Sequence, residues 1–199
     1  MNEATDLKEI LAESWRLLLR ATADKRSPMR TPVIATVRNE LPEQRTVVLR
    51  KAETGTRQLL FYTDARAGKV EALGQNEWLH WLFYHPKKQI QLRALGTTEL
   101  HRDDTFAERH WKNMSVHGRK AYATTAAPGS SLSHADDGLA AAWKEASPTA
   151  TMVEEAYGHF VVGVCTIQQL EYLKLDREGH RRAQFKYDGA QWNASWLVP

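Results

Sequence analysis

Arg45-Thr46-Val47-Val48-Leu49-Arg50 is followed, ten residues later, by Phe61-Tyr62-Thr63-Asp64-Ala65-Arg66-Ala67-Gly68-Lys69. The first stretch is a short aliphatic strand with a guanidinium at each end. Period-two alternation places Thr46, Val48 and Arg50 on one face and Arg45, Val47 and Leu49 on the other. The second stretch is a strand that ends in a hydroxyl and runs into a helix. Asp64 reads as the N-cap, and Gly68–Leu73 as about two turns that stop at Gly74. Thr63, Arg66 and Lys69 near a helix N-terminus offer one hydroxyl, two cations and oriented backbone donors, which is the chemistry that holds a phosphate. The same residues also read as ordinary strand-end charges with apolar stems lying along the surface.

Outward from this window the chain is mostly strand. Val33–Val37, Thr46–Lys51, Gln58–Thr63, Leu79–Tyr84 and Gln89–Leu95 are short, aliphatic or aromatic, and bounded by turn residues. Strands resume at His159–Ile167, Leu170–Leu175, Arg181–Tyr187 and Trp192–Leu197, with Asp188-Gly189 as a hairpin turn between the last two. A helix occupies the N-terminal region 1–26, where Leu7, Ile10, Leu11, Trp15, Leu18 and Leu19 keep helical spacing and Asp6 with Glu9 supplies a capping box. Residues 103–156 read as a helical and loop insertion. Early and late strands that complete one sheet favour a closed antiparallel barrel, which removes exposed edges. The expectation is a single α+β domain over residues 1–199.

Composition narrows the function. The 199 residues are 42% hydrophobic and 26% charged, with a net charge of +3 and one cysteine. A disulfide framework and a thiolate zinc site are excluded on that cysteine count. An excess of three positive charges is too small for a nucleic-acid footprint. No apolar run approaches the ~20 residues of a membrane span, and the acidic start lacks the pattern of a signal peptide, so a cytoplasmic location is expected. The eight histidines show no metal-binding spacing. Cys165, in an apolar strand, reads as a small core residue.

Arg45–Arg50, Phe61–Lys69, Trp81-Leu82-Phe83-Tyr84-His85-Pro86 and Gln89-Ile90-Gln91-Leu92-Arg93-Ala94-Leu95-Gly96 occur in one order with tight spacing. With Leu170-Glu171-Tyr172-Leu173 and the closing Trp192…Trp196, this set resembles the FMN-binding split barrel of the pyridoxamine 5'-phosphate oxidase family. The resemblance covers nearly the whole chain. It implies a mainly antiparallel split β-barrel and a homodimer with FMN at the interface. The implied function is that of an oxidoreductase acting on a small molecule, with neither nucleic acid nor membrane as partner. Residue by residue it implies that Arg45, Thr46, Val48, Arg50, Tyr62, Thr63, Arg66, Lys69 and Gln91 contact the cofactor, Arg66 and Lys69 at its phosphate.

The departures concern the substrate. The middle helices, from His110 through Ser115 to Arg119, do not reproduce the family's substrate-phosphate set. The run His180-Arg181-Arg182-Ala183-Gln184 alters its C-terminal basic motif. Arg119 and Arg182 remain as candidate cations for a substrate anion, and vitamin B6 phosphates are expected to be poor substrates. The alternative is a barrel that binds flavin or haem without turnover, with His80, His85 or His159 as an axial ligand.

Overall fold

The computed structural model describes residues 3–145 and 149–199. The chain opens with helix α1 (Glu3–Ala23), whose apolar stripe buries Leu7, Trp15, Leu17 and Leu18. Each fully buried side chain of this kind contributes about 1.5–3 kcal/mol. Asp6 lies inside this helix instead of capping it, one turn beyond Glu3, where its charge still suits the helix dipole. Residues 1–2 of the expected N-terminal helix lie outside the described residues.

Nine strands follow among the described residues: β1 (Val33–Arg38), β2 (Leu41–Thr46), β3 (Lys51–Glu53), β4 (Gln58–Asp64), β5 (Trp78–His85), β6 (Ile90–His101), β7 (Phe160–Lys174), β8 (Arg181–Tyr187) and β9 (Trp192–Leu197). They form one sheet in the order β2-β1-β5-β6-β7-β4-β3, with β8 on β7 and β9 on β8. The pairings are antiparallel throughout. This is the expected α+β split-barrel architecture.

The strand expected at Thr46–Lys51 is instead the crossing that closes the ring. Val47 N–H donates to the Pro32 carbonyl at 3.0 Å and Leu49 N–H to Arg30 at 2.9 Å. Arg50 N–H then turns to Leu60 at 2.8 Å. One short segment thus joins the β1 edge to the β4 edge. The alternation holds through it, because Leu49 is fully buried and Arg50 exposed. The two strands expected at His159–Ile167 and Leu170–Leu175 are one strand, β7. It is paired along one edge with β6 and along the other with β4 and then β8. A bulge at Gln168 bends it where Gly96 faces it, and a Cβ on Gly96 would overlap the Thr166 carbonyl.

Two apolar cores result. The barrel interior joins α1 to Ile34, Leu49, Phe61, Trp81, Phe83 and Phe185. A second core lies outside β4 and β7, under the insertion, where Trp111, Tyr122, Trp143 and Phe160 meet. The insertion contributes α3 (Thr105–Lys112), α4 (Val116–Arg119), α5 (Ala141–Glu145) and α6 (Ala150–Tyr157); its residues 146–148 lie outside the described residues. Among the described residues no helix is long and apolar enough to cross a membrane. Cys165 is a buried barrel residue, and burial pushes its thiol up to about 11.

Candidate functional site

Helix α2 (Gly68–Gln75) begins where β4 ends. Asp64 does not cap it. Its carboxylate accepts instead from the Arg66 backbone N–H (2.8 Å) and from the Arg66 guanidinium (3.0 and 2.8 Å), while its carbonyl accepts from Ala67 N–H. The N-cap position falls to Ala67, which has no side chain to offer, so the N-terminus of α2 carries no side-chain cap.

Around that terminus the structure gathers cations. The half-buried Lys69 ammonium donates to the Thr63 hydroxyl at 3.1 Å. No carboxylate forms an ion pair with it among the described residues. Burial, and then the charge of Arg45, hold it below the ordinary lysine range, and Asp64 draws it back in part. Arg45 donates to Thr36 Oγ1 at 2.6 Å and pairs with Glu43 at 2.7 Å. Arg38 shares Glu43 at 2.6 Å, and its guanidinium carbon would lie 3.5 Å from a Cβ on Gly68. Arg38 also pairs with Glu71, in the first turn of α2, at 3.4 Å. Two carboxylates thus serve two guanidiniums beside an ammonium that has no ion pair, and the niche keeps a net positive charge suited to an anion. Arg38 escapes a reading along the sequence, because it enters the niche only through the packing of α2 on β1.

Arg66 is committed elsewhere. Besides Asp64, it donates to the carbonyl of Thr124 at 2.9 Å and to its hydroxyl at 3.0 Å, which ties the loop before α2 to the insertion. Its guanidinium is thus satisfied by the carboxylate two residues before it and by Thr124.

The remaining expected residues lie on the outer face of the sheet. Thr46 faces outward in a cross-strand row with Val33, Leu82 and Arg93, and Gln91 lies in the next row beside Tyr84 and Leu173. Thr46 and Gln91 belong to strands three spacings apart, roughly 14 Å. Val48 and Arg50 continue the outward face of the crossing. The Arg50 guanidinium lies 4.9 Å from the centroid of the Tyr62 ring, a cation–π contact. The Tyr62 hydroxyl is 2.8 Å from His110 Nδ1, and its ring meets Phe160 edge-on at 5.0 Å. Burial raises the Tyr62 phenol above its ordinary value, while Arg50 opposes the rise. His110 is a second residue that reading along the chain misses as a site, since its partner is 48 residues away.

The candidate substrate cations are both engaged. Arg119 donates to the carbonyls of Trp111 (3.2 Å) and Lys112 (3.0 Å). Arg182 pairs with the buried Glu171 at 2.7 Å, and Arg93 shares that carboxylate at 3.4 Å. Two of the histidines considered for haem have Nδ1 engaged, His159 with the Tyr122 carbonyl at 2.9 Å and His85 with Lys88 N–H at 3.3 Å, contacts that leave Nε2 of each out of the bond. Among the described residues no group of three or more His, Cys, Asp or Glu side chains could hold a metal.

The outer face also exposes an apolar strip. Trp78, Leu82 and Tyr84 of β5 and Val37 of β1 are each 38–45% exposed. A cavity of about 730 Å³, lined by Gln58, Gln75, Glu77 and Thr98 among others, lies at the far end of α2, away from the cation niche.

Residues 12–102 match the family model described as pyridoxamine 5'-phosphate oxidase, FMN-binding domain. The matched stretch contains the cation niche, Arg50, Tyr62 and Gln91, so the resemblance read from the sequence is borne out over these residues. No curated protein matches the sequence. Among solved structures, a pyridoxamine 5'-phosphate oxidase-related, FMN-binding protein from Nostoc punctiforme PCC 73102 is similar. It is 22% identical with a TM-score of 0.76, over 94% of this chain and 96% of that one. PhzG from Burkholderia lata 383, in complex with tetrahydrophenazine-1-carboxylic acid, is 17% identical with a TM-score of 0.68, over 100% of this chain and 93% of that one. A protein related to general stress protein 26 from Clostridium acetobutylicum is 16% identical with a TM-score of 0.54, over 87% and 96%. At these identities the likeness speaks to the fold.

Proposed function

We propose that this chain is an FMN-binding flavoprotein of the pyridoxamine 5'-phosphate oxidase-like kind, a cytoplasmic homodimer and an oxidoreductase acting on a small molecule. The observation that carries the reading is the Lys69 niche. A half-buried ammonium with a hydroxyl for its partner, next to Arg45 and an uncapped helix N-terminus, costs free energy unless an anion completes it. Its donors suit a phosphate monoester: Lys69, Arg45, Arg38, the Thr63 hydroxyl and the first amides of α2. Arg50 and Tyr62, with Thr46 and Val48 beside them and Gln91 across the sheet, form the outer-face surface for the ring system.

FMN supplies the hydride or electron chemistry when bound, and the chain's residues bind it, orient it and limit access. The niche and the outer face are both open in one chain, and the apolar strip of Trp78, Leu82, Tyr84 and Val37 is the surface a second copy would cover. The engagement of Arg119 and Arg182 in internal contacts supports the expectation that vitamin B6 phosphates turn over poorly, because neither guanidinium is left to take a substrate phosphate.

The test is titration of the apoprotein with FMN and with riboflavin, followed by flavin fluorescence, alongside light scattering. The reading expects tight FMN binding, much weaker riboflavin binding and a dimer. Equal affinities for the two flavins would remove the phosphate role of the niche, and absence of flavin binding would end the reading.

A further inference from the structure

The Tyr62–His110 pair is a hydrogen-bonded acid–base couple that flavin binding alone leaves without a role. We propose that His110 is a positioning residue that sets whether the Tyr62 hydroxyl accepts or donates a hydrogen bond toward a flavin seated against Arg50 and Tyr62. This inference rests on the flavin reading above.

Geometry limits what the pair can do. His110 lies on α3 with its ring held between Phe106 at 4.7 Å and the edge of Tyr62 at 5.6 Å. Its Nδ1 faces the phenol at 2.8 Å. A phenol has one proton. A neutral imidazole that presents bare Nδ1 takes that proton in a hydrogen bond, and the Tyr62 oxygen then offers lone pairs to its other neighbour. An imidazolium has protons on both ring nitrogens, so Nδ1–H donates to Tyr62 and the phenol proton must turn outward. Protonating His110 therefore reverses the polarity of Tyr62 without moving a heavy atom.

The charged and titratable surroundings favour the neutral state. The charges of Lys51 of β3 and Arg109 of α3 and the nearby His101 of β6 oppose protonation of His110, and His101 itself is bonded to Asp104 at 2.8 Å. Burial first, then Lys51 and Arg109, hold the imidazole below the ordinary histidine range. The charged group at the Tyr62 ring is Arg50, and Tyr122 feels both Tyr62 and Asp64. With the neutral imidazole protonated on Nε2, the tautomer the inference requires, Tyr62 donates inward to His110 and accepts from the ligand side. Below the ordinary histidine value of 6.5 it becomes an outward donor. A bond that merely fastens α3 to the sheet would alter stability on removal, yet would leave the pH dependence of flavin binding unchanged.

The experiment compares FMN affinity from pH 5 to pH 8 for the wild-type dimer, His110→Gln and Tyr62→Phe. The FMN phosphate also titrates, near pH 6, so the readout is the difference between profiles. Gln can keep a hydrogen bond to Tyr62 but cannot titrate. The wild type should show an additional change of about two- to tenfold, the worth of one neutral hydrogen bond, with its midpoint below 6.5. Both variants should bind FMN and lack that change. In parallel, imidazole nitrogen shifts should show neutral His110 protonated on Nε2. Wild-type and His110→Gln profiles that superimpose, or a neutral His110 protonated on Nδ1, would overturn the inference while FMN binding still upheld the flavin reading. A wild-type protein that binds no FMN at any pH would overturn both.

Discussion

Replacing Lys69 with Ala separates binding from folding. In the flavin-loaded protein the change removes one charge-assisted hydrogen bond to the phosphate, worth about 1.5–3 kcal/mol. At about 1.4 kcal/mol per decade, FMN affinity should fall about 10- to 150-fold. Arg45, Arg38, Thr63 and the α2 amides remain, so binding should persist at higher concentration. Riboflavin carries no phosphate, and its affinity should stay within about twofold, well under the 1.4 kcal/mol of a tenfold change.

The apoprotein supplies the second half of the test. In the empty niche the Lys69 ammonium is disfavoured by burial and by Arg45, as its lowered pKa records. Between that lowered value and the ordinary 10.5, the unfolded chain binds more protons than the folded one, so wild-type stability should rise with pH through that window. Lys69→Ala should lose this rise and should melt no lower than wild type near pH 7. Fluorescence titration of both flavins and thermal unfolding at two pH values are sufficient. Equal losses for FMN and riboflavin, or an apoprotein that melts several degrees lower, would show that Lys69 is a structural residue and refute the niche.

Asp64→Ala should cost stability instead, about 3 kcal/mol, because it strands the partly buried Arg66 guanidinium; denaturant unfolding measures this, and FMN affinity should fall less than in Lys69→Ala. Glu171→Gln should destabilise by about 2 kcal/mol at pH 7. Burial raises the Glu171 carboxyl, but Arg182 and Arg93 outweigh it and hold the group below 4.5. Its stabilisation is therefore present above 4.5 and lost as pH falls through the lowered value, so the variant and wild type should converge in melts at strongly acid pH. Gly96→Ala should unfold the barrel or cost at least ~3 kcal/mol, beyond the usual range for overpacking, because the obstacle is the Thr166 backbone carbonyl and not a movable side chain; circular dichroism with chemical denaturation checks it.

The barrel was legible where residues alternate. Leu49 inside and Arg50 outside follow from period two alone, and so do the buried alternate positions of β5 and β6. Strand β2 was not legible, because Leu41-Pro42-Glu43-Gln44 is polar and contains a proline. It is tolerated because β2 is an edge strand, and Asn39 and Glu40, both at positive φ, make the tight turn into it. The union of two late strands into β7 was hidden by the bulge at Gln168, which breaks the alternation by which a single strand is recognised.

The candidate site was legible as a set of residue types, but the engagement of each cation was not, for an electrostatic reason. Counting cations near a helix start put Arg66 and Lys69 on equal terms, and the altered substrate-phosphate motifs left Arg119 and Arg182 as candidate cations. The fold separates them by what each already touches. Arg66 has Asp64, Arg182 has Glu171, and Arg119 has two carbonyls. Lys69 has a hydroxyl and a like-charged neighbour. A guanidinium matched to an internal carboxylate is already satisfied and would lose that partner on turning to a ligand. An ammonium kept partly dry without a counter-charge is unsatisfied until one arrives. The distinction depends on contacts between β1, β2, β4 and α2, which no local stretch of sequence contains. By the same rule Arg38 and Arg45, matched to Glu43 and Glu71, lend the niche positive surroundings while Lys69 is its cation without an ion pair, and Arg66, matched to Asp64, braces the loop before α2.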